Sequence, residues 1–172
     1  MKLLLTGASG LVGAAVARLA AAQGWTVFGV VNRWNGLIPG AAKVMSTDLS
    51  DAGEVVKLVQ QCAPDCIVNA AAVAEPAACD AAPEWSRRLN VELPAALAAA
   101  AQSTAARLIH LSSEQVFDGE RAPYSVADFP RPINLYGQQK VESEQRVMAA
   151  QPAAIVVRAP LLLGNSLSGR RS

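Results

Sequence analysis

The sequence predicts an α/β protein, a doubly wound parallel sheet with helices on both faces. Three observations predict it. Six short apolar runs recur along the chain, longer alanine-rich amphipathic stretches separate them, and the first run breaks into a glycine-rich turn that leads straight into a helix. Lys2 to Thr6 is the first strand, apolar on both sides as a buried parallel strand must be. Leu11 to Gln23 is the first helix; Val12, Val16 and Leu19 form its expected inward stripe, and Gly24 suits a left-handed exit. Thr26 to Val31 and Lys43 to Ser46 are the second and third strands. Asp51 to Cys62 is a helix capped by Ser50, with Val55, Leu58 and Val59 inward and Pro64 as its stop. Asp65 to Ala70 is the fourth strand, Pro83 to Ala101 a long helix, and Arg107 to Ser112 the fifth strand. Asn134 to Ala150 is the last helix and Ala154 to Arg158 the sixth strand. Right-handed crossovers join parallel strands of this kind. Residues 1–164 read as one domain, and 165–172 as a polar tail with no further strand or helix pattern.

Composition removes several classes of function. With 52% hydrophobic and 17% charged residues the chain is globular rather than disordered, and its net charge of +1 lacks the electrostatic footprint of a nucleic-acid binder. The Leu3–Leu5 run is too short for a signal segment or a membrane span. Cys62, Cys66 and Cys79 form no metal-ligand pattern with His110, so no metal is expected and a reducing, cytoplasmic setting fits best. His110, between Ile109 and Leu111, reads as a packed or hydrogen-bonded core residue. Trp25, Trp34 and Trp85 read as packing or surface residues.

The first strand-to-helix turn carries chemistry. Thr6-Gly7-Ala8-Ser9-Gly10-Leu11-Val12-Gly13 places three glycines at G-x-x-G-x-x-G spacing. Gly7 permits the tight turn, Gly10 lets backbone approach a diphosphate, and Gly13 lets the helix lie close to the strand, while Ser9, Leu11 and Val12 complete the segment. The helix N-terminus offers unpaired N–H groups and a partial positive charge to a dinucleotide diphosphate. The second strand ends Val31-Asn32-Arg33, with no carboxylate for ribose hydroxyls and with Arg33 placed to meet a 2′-phosphate. NADP(H) is therefore preferred over NAD(H). The glycine spacing resembles that of the extended branch of the short-chain dehydrogenase/reductase superfamily, which implies a Rossmann-type fold. On that resemblance Asp48-Leu49 matches the position whose Asp bonds the adenine amino group. Asn69-Ala70-Ala71-Ala72 matches the N-A-A motif where small residues lie against the cofactor.

Tyr136 and Lys140, at i and i+4 of a helical segment, share one face. A free phenol handles protons poorly at neutral pH, and a neighbouring ammonium together with a bound cationic nicotinamide favours the phenolate. Tyr136 is thus the expected general acid for carbonyl reduction, with Lys140 also holding the nicotinamide ribose. The family's S-[ST] motif assigns Ser113 the substrate carbonyl oxygen, with Ser112 as the alternative. Asn90 resembles the helix Asn of a water-mediated proton relay to the Lys. Pro94 has no N–H to bond the Asn90 carbonyl, which is expected to leave that carbonyl free for the water.

Val116-Phe117-Asp118-Gly119 and Pro132-Ile133-Asn134-Leu135-Tyr136-Gly137 are more specific. They resemble signatures of the dTDP-4-dehydrorhamnose reductases and of the related regulatory beta subunit of methionine adenosyltransferase. The likeness runs nearly the whole chain, although Glu114-Gln115 replaces the usual Asp-Tyr. It implies NADPH-dependent reduction of a nucleotide-activated 4-keto-deoxysugar, with a nucleotide sugar as the small-molecule partner. It implies too a substrate lobe after the sixth strand that is largely missing from these residues, and a homodimer through a helix bundle. The alternatives are an NADP-binding regulatory subunit without turnover, and an epimerase or dehydratase holding NAD. Retention of all three catalytic residue types favours the enzyme, and the absence of an acid at Asn32 counts against the epimerase.

Overall fold

A computed structural model describes residues 1–167 and 169. Of the polar tail at 165–172, residues 168 and 170–172 lie outside the described residues. The chain runs β1 (Lys2–Thr6), α1 (Leu11–Ala22), β2 (Thr26–Val31), β3 (Lys43–Ser46), α2 (Ala52–Cys62), β4 (Cys66–Asn69), α3 (Pro76–Ala81), α4 (Pro83–Arg87), α5 (Leu93–Thr104), β5 (Arg107–Ser113), α6 (Leu135–Ala150) and β6 (Ile155–Ala159). A π-helical turn, Arg88–Glu92, joins α4 to α5, and a 3₁₀ turn, Glu114–Val116, follows β5. The six strands form one sheet, ordered β3-β2-β1-β4-β5-β6, and every pair is parallel. Leu4 sits level with Phe28 on one side and Ile67 on the other. The chain winds outward from β1 to β3 and then crosses back to β4, so the carboxyl ends of β1 and β4 open a crevice between diverging connections.

The strand pleat sorts the core into two layers. Leu4, Val30, Ile67 and Leu108 pack against Val55, Leu58 and Val59 of α2, Leu93 and Leu97 of α5, and Val147 of α6. Leu3, Leu5, Val27, Val31 and Val68 face the other way, against Ala8, Ala17 and Ile38. Strands buried on both faces explain the unbroken apolar runs. The expected stripe of α1 is corrected here. Gly13, Ala14 and Ala17 are its buried residues, whereas Leu19 is 69% exposed and Val12 and Val16 are half-buried. The helix lies too close to the sheet for branched side chains, since a Cβ on Gly13 would come 2.2 Å from the Gly7 carbonyl oxygen. Coverage is unequal: α2, α5 and α6 cover one face, α1 the other. Beside α1 a groove of about 460 Å³ opens over Leu3, Val16, Leu19, Trp25, Val68 and Ile109. Ile155 and Val157 of β6, at the sheet edge, are exposed as well.

Two helical expectations shift. The α2 cap is Asp51, whose Oδ1 accepts from the Gly53 and Glu54 N–H groups at 2.7 and 3.4 Å, while Ser50 bonds Asp48 instead. The single helix expected over Pro83 to Ala101 is split. Pro94 cannot close the usual bond, and the turn widens until the Leu93 N–H reaches the Arg88 carbonyl. The short α3 was not anticipated. Its start at Pro76 and the break at Pro83 explain it. All three cysteines are free and buried, and among the described residues no helix is long and apolar enough to cross a membrane and no metal-ligating cluster occurs.

Candidate active site

The glycine turn sits at the head of the crevice. Gly7 has φ +68°, and a Cβ there would lie 2.6 Å from the carbonyl oxygen of Ala70. The turn therefore presses directly on the chain leaving β4, where Ala70, Ala71 and Ala72 are half-buried. Gly10 caps α1 with extended backbone and contributes no side-chain acceptor, and Ser9, Leu11 and Val12 beside it are half-buried. Asn32 and Arg33 are exposed just past β2, and the Asn32 carbonyl accepts from the Ser46 hydroxyl. Asp48 is exposed. Its Oδ1 accepts from the Ser50 N–H and hydroxyl at 3.0 and 2.8 Å, bonds that hold its carboxyl below the usual range, with Arg33 and Arg88 adding attraction. Leu49 is buried against α2 rather than facing the crevice.

The second half of the site forms where β5 ends against α6. Ser112 and Ser113 alternate across the strand. Ser113 faces the Tyr136 phenol, donates to Glu114 Oε2 at 3.1 Å and accepts from the Gln115 N–H at 3.2 Å. Ser112 is committed elsewhere, donating to Glu144 Oε1 at 2.5 Å, and Glu144 in turn pairs with Arg158 at 2.7 Å. The geometry thus separates the two serines that the sequence left as alternatives. Tyr136 is placed by the start of α6. Asn134 caps the helix by accepting from the Gly137 N–H at 2.7 Å, and its own amide donates to Gln115 Oε1 at 2.9 Å. Gly137 is required because a Cβ there would be 2.2 Å from the Gln115 carbonyl oxygen.

Burial dominates the electrostatics. Tyr136 is 6% exposed, and desolvation, with the Glu114 carboxylate adding to it, pushes its pKa up to about 12 against the opposing hydrogen bond from Ser113. Lys140 is 2% exposed; desolvation pulls its pKa down to about 8, with Glu144 opposing the shift. The expectation that Lys140 lowers the Tyr136 pKa is corrected by this arrangement. The ammonium points into β5, donating to the Leu111 carbonyl at 2.6 Å, so the phenol is governed by its own burial. Asn90, 1% exposed, spends its side chain on the segment behind the site. Its Oδ1 accepts from the Val73 N–H at 2.8 Å, and its Nδ2 donates to the Val73 carbonyl at 3.0 Å and to Gln139 Oε1 at 2.8 Å. Gln139 passes the tether to Ser86 at 2.9 Å.

Sequence reasoning missed Glu144, Gln139 and Ser143. Each lies three, four or seven residues beyond Tyr136 or Lys140 on α6, and that helical spacing is the signal that would have exposed them. Glu114 and Gln115 were noted only as departures. The structure puts the first beside Tyr136 and makes the second a holder of the α6 cap.

Residues 1–170 match the family described as RmlD substrate binding domain. Methionine adenosyltransferase 2 subunit beta of Xenopus tropicalis is 36% identical over 162 residues, 94% of this chain and 47% of that protein. The dTDP-4-dehydrorhamnose reductase of Mycolicibacterium smegmatis (strain ATCC 700084 / mc(2)155) is 34% identical over 159 residues, 91% of this chain and 44% of that protein. The crystal structure of a hypothetical dTDP-4-dehydrorhamnose reductase from Sulfolobus tokodaii superposes with TM-score 0.87 at 30% identity, covering 96% of this chain and 58% of that one. The chain thus spans about half the length of the curated relatives it matches.

Proposed function

The chain belongs to the RmlD substrate binding domain family, and from that premise we propose that it is the dinucleotide-binding, proton-delivering part of an NADP-dependent reductase of a nucleotide-activated 4-keto-deoxysugar. One observation carries the reading: Ser113 and Tyr136 meet, with Lys140 one turn further along α6, at the strand ends that carry the glycine turn.

The residues fit a dinucleotide. Gly7 and Gly13 leave backbone where a Cβ would collide, and the uncapped start of α1 supplies N–H groups to a diphosphate. Ser9, Gly10, Leu11 and Val12 line that start, and Ala70, Ala71 and Ala72 flank it. Asn32 and Arg33 would meet the adenosine 2′-phosphate, with the exposed Asp48 on the adenine side and Leu49 behind it in the core. NADP(H) is the preferred cofactor and NAD(H) the weaker one. When bound, it supplies hydride to the carbonyl carbon.

The chain's own residues handle the oxygen. Tyr136 carries its proton at neutral pH, as any phenol does, and burial holds that proton more tightly; it would release it as negative charge develops on the carbonyl oxygen. Ser113 would hold the carbonyl oxygen by turning its one O–H from Glu114 to the substrate. Lys140, in its ammonium form, spends one N–H on the Leu111 carbonyl and has two left, which would hold the nicotinamide ribose. Asn90 fixes the Val73 backbone behind Tyr136, and its carbonyl in the π-helical turn is the proposed acceptor for a relay water. The free buried thiols fit a reducing cytoplasm, and a homodimer through α5 and α6 belongs to the same reading. A second reading, a dinucleotide-binding regulatory subunit without turnover, is favoured by the likeness to methionine adenosyltransferase beta subunits.

Titration with NADPH and NADH, followed by addition of a dTDP-4-keto-6-deoxysugar, tests the proposal. Expected are tighter binding of NADPH and loss of its absorbance. Binding without loss favours the regulatory reading, and no binding of either overturns both. Arg33→Ala should weaken NADPH about tenfold and leave NADH unchanged, as fits loss of one charge-assisted bond; equal losses for both would take Arg33 out of the phosphate site.

Lys140 gives opposite signs for activity and stability. The reaction should slow as pH rises through about 8, where Lys140 loses its proton. Between that value and the ordinary lysine pKa the unfolded chain binds the extra proton, so folding stability should rise over the same window. Denaturant midpoints and rates measured across it check both, and parallel trends would refute the assignment.

A further inference from the structure

A buried line of hydrogen bonds crosses from the end of β1 to the backbone of α6, and each bond fixes the direction of the next. Thr6 Oγ1 donates to Asn69 Oδ1 at 2.6 Å, and the Ala71 N–H donates to the same oxygen at 3.3 Å. That turns the Asn69 amide nitrogen toward His110 Nδ1, 3.1 Å away. An amide NH₂ can only donate, so Nδ1 accepts and the single ring proton sits on Nε2. Nε2–H donates to Ser143 Oγ at 3.0 Å, and Ser143 gives its own proton to the Lys140 carbonyl at 2.8 Å. Thr6, Asn69, His110 and Ser143 are each at most 1% exposed.

Lys140 is therefore held at two points by neighbouring residues of β5. Its ammonium bonds the Leu111 carbonyl, and its backbone carbonyl is reached through Ser143 from His110. Apolar packing alone would let α6 slide or turn against the strand, whereas a directed bond fixes its register at the turn bearing Lys140. The far end of the line is anchored at Thr6, immediately before the glycine turn, and at Asn69, immediately before the alanines that press on it.

We propose that His110 is a positioning residue, a neutral Nε2–H imidazole that sets Lys140 against the strand ends where the dinucleotide turn lies. This rests on the reading of Lys140 as the residue that holds the nicotinamide ribose.

His110 is the one histidine of the sequence, so ¹⁵N-histidine NMR reports a single ring. At neutral pH the Nε2–H tautomer is expected; an Nδ1–H tautomer or an imidazolium would overturn the proposal. His110→Leu and Ser143→Ala should each weaken NADPH binding about five- to tenfold, the scale of one lost directed bond. His110→Gln should recover most of it, because its amide offers an acceptor toward Asn69 and a donor toward Ser143. Should His110→Leu fail to fold, Ser143→Ala carries the comparison. Variants that melt earlier yet bind NADPH like the unchanged protein would make the line structural only and overturn the proposal. No NADPH binding by the unchanged protein would instead remove the dinucleotide reading, and the positioning role with it.

Discussion

Replacing Tyr136 with Phe should reduce carbonyl turnover by about 10²- to 10⁴-fold while NADPH affinity stays within about twofold. The substitution keeps the ring that packs with Val73 and Cys79 and removes one hydroxyl, so fold and cofactor site are left standing. The lost proton has no substitute nearby. Ser113 is hydrogen-bonded to Glu114 and the Gln115 N–H, and the Lys140 ammonium is turned into β5. Single-turnover rates with pre-bound NADPH measure the effect. A Phe variant that turns over as fast as the unchanged protein would remove Tyr136 as the proton donor.

Gly13→Ala is expected to disrupt both the fold and the head of the crevice. Its new methyl would stand 2.2 Å from the Gly7 carbonyl oxygen and 2.9 Å from the Ala8 Cα, both backbone atoms that cannot swing aside. Relief requires α1 to lift from the sheet, which opens Ala14 and Ala17 and tilts the helix start proposed to meet a diphosphate. Overpacking of this kind costs about 1–3 kcal/mol, and backbone collision places it at the upper end. Thermal unfolding and NADPH titration should both deteriorate. Gly24→Ala is the comparison, because at φ +78° nothing lies within 4 Å of the added carbon and only local backbone strain is introduced. Loss of NADPH binding in both variants would show that strain, not the fit of α1, is responsible.

Much of this site was legible in the sequence because its constraints are short-range. A glycine spacing, an i, i+4 pair on one helix and small residues at a strand end are each fixed by a few covalently linked neighbours. Side-chain pairings across elements were not legible. Ser112 and Ser113 look alike in the sequence; Glu144, 32 residues away, takes the first and leaves the second facing Tyr136. The burial that raises the Tyr136 pKa was not legible for the same reason, since spacing shows that Lys140 is close but not that its ammonium points at Leu111. The α1 stripe failed differently. Hydrophobicity picks out Leu19, whereas the closeness of α1 to the sheet selects Gly13, Ala14 and Ala17 by size. The π-helical turn at Arg88–Glu92 was half legible: Pro94 marked the missing bond, and how the chain would absorb it depended on Asn90 anchoring Val73.

The unequal covering of the sheet has a thermodynamic consequence for these residues. Leu19, Ile155 and Val157 already meet water in the folded state, and the groove beside α1 leaves neighbouring apolar side chains partly hydrated. Unfolding adds little new hydration there, so the heat-capacity increment should fall below the usual ~12–15 cal/mol/K per residue. The stability curve flattens as a result, with less curvature on cooling. Calorimetry of the 172-residue chain would read that increment directly.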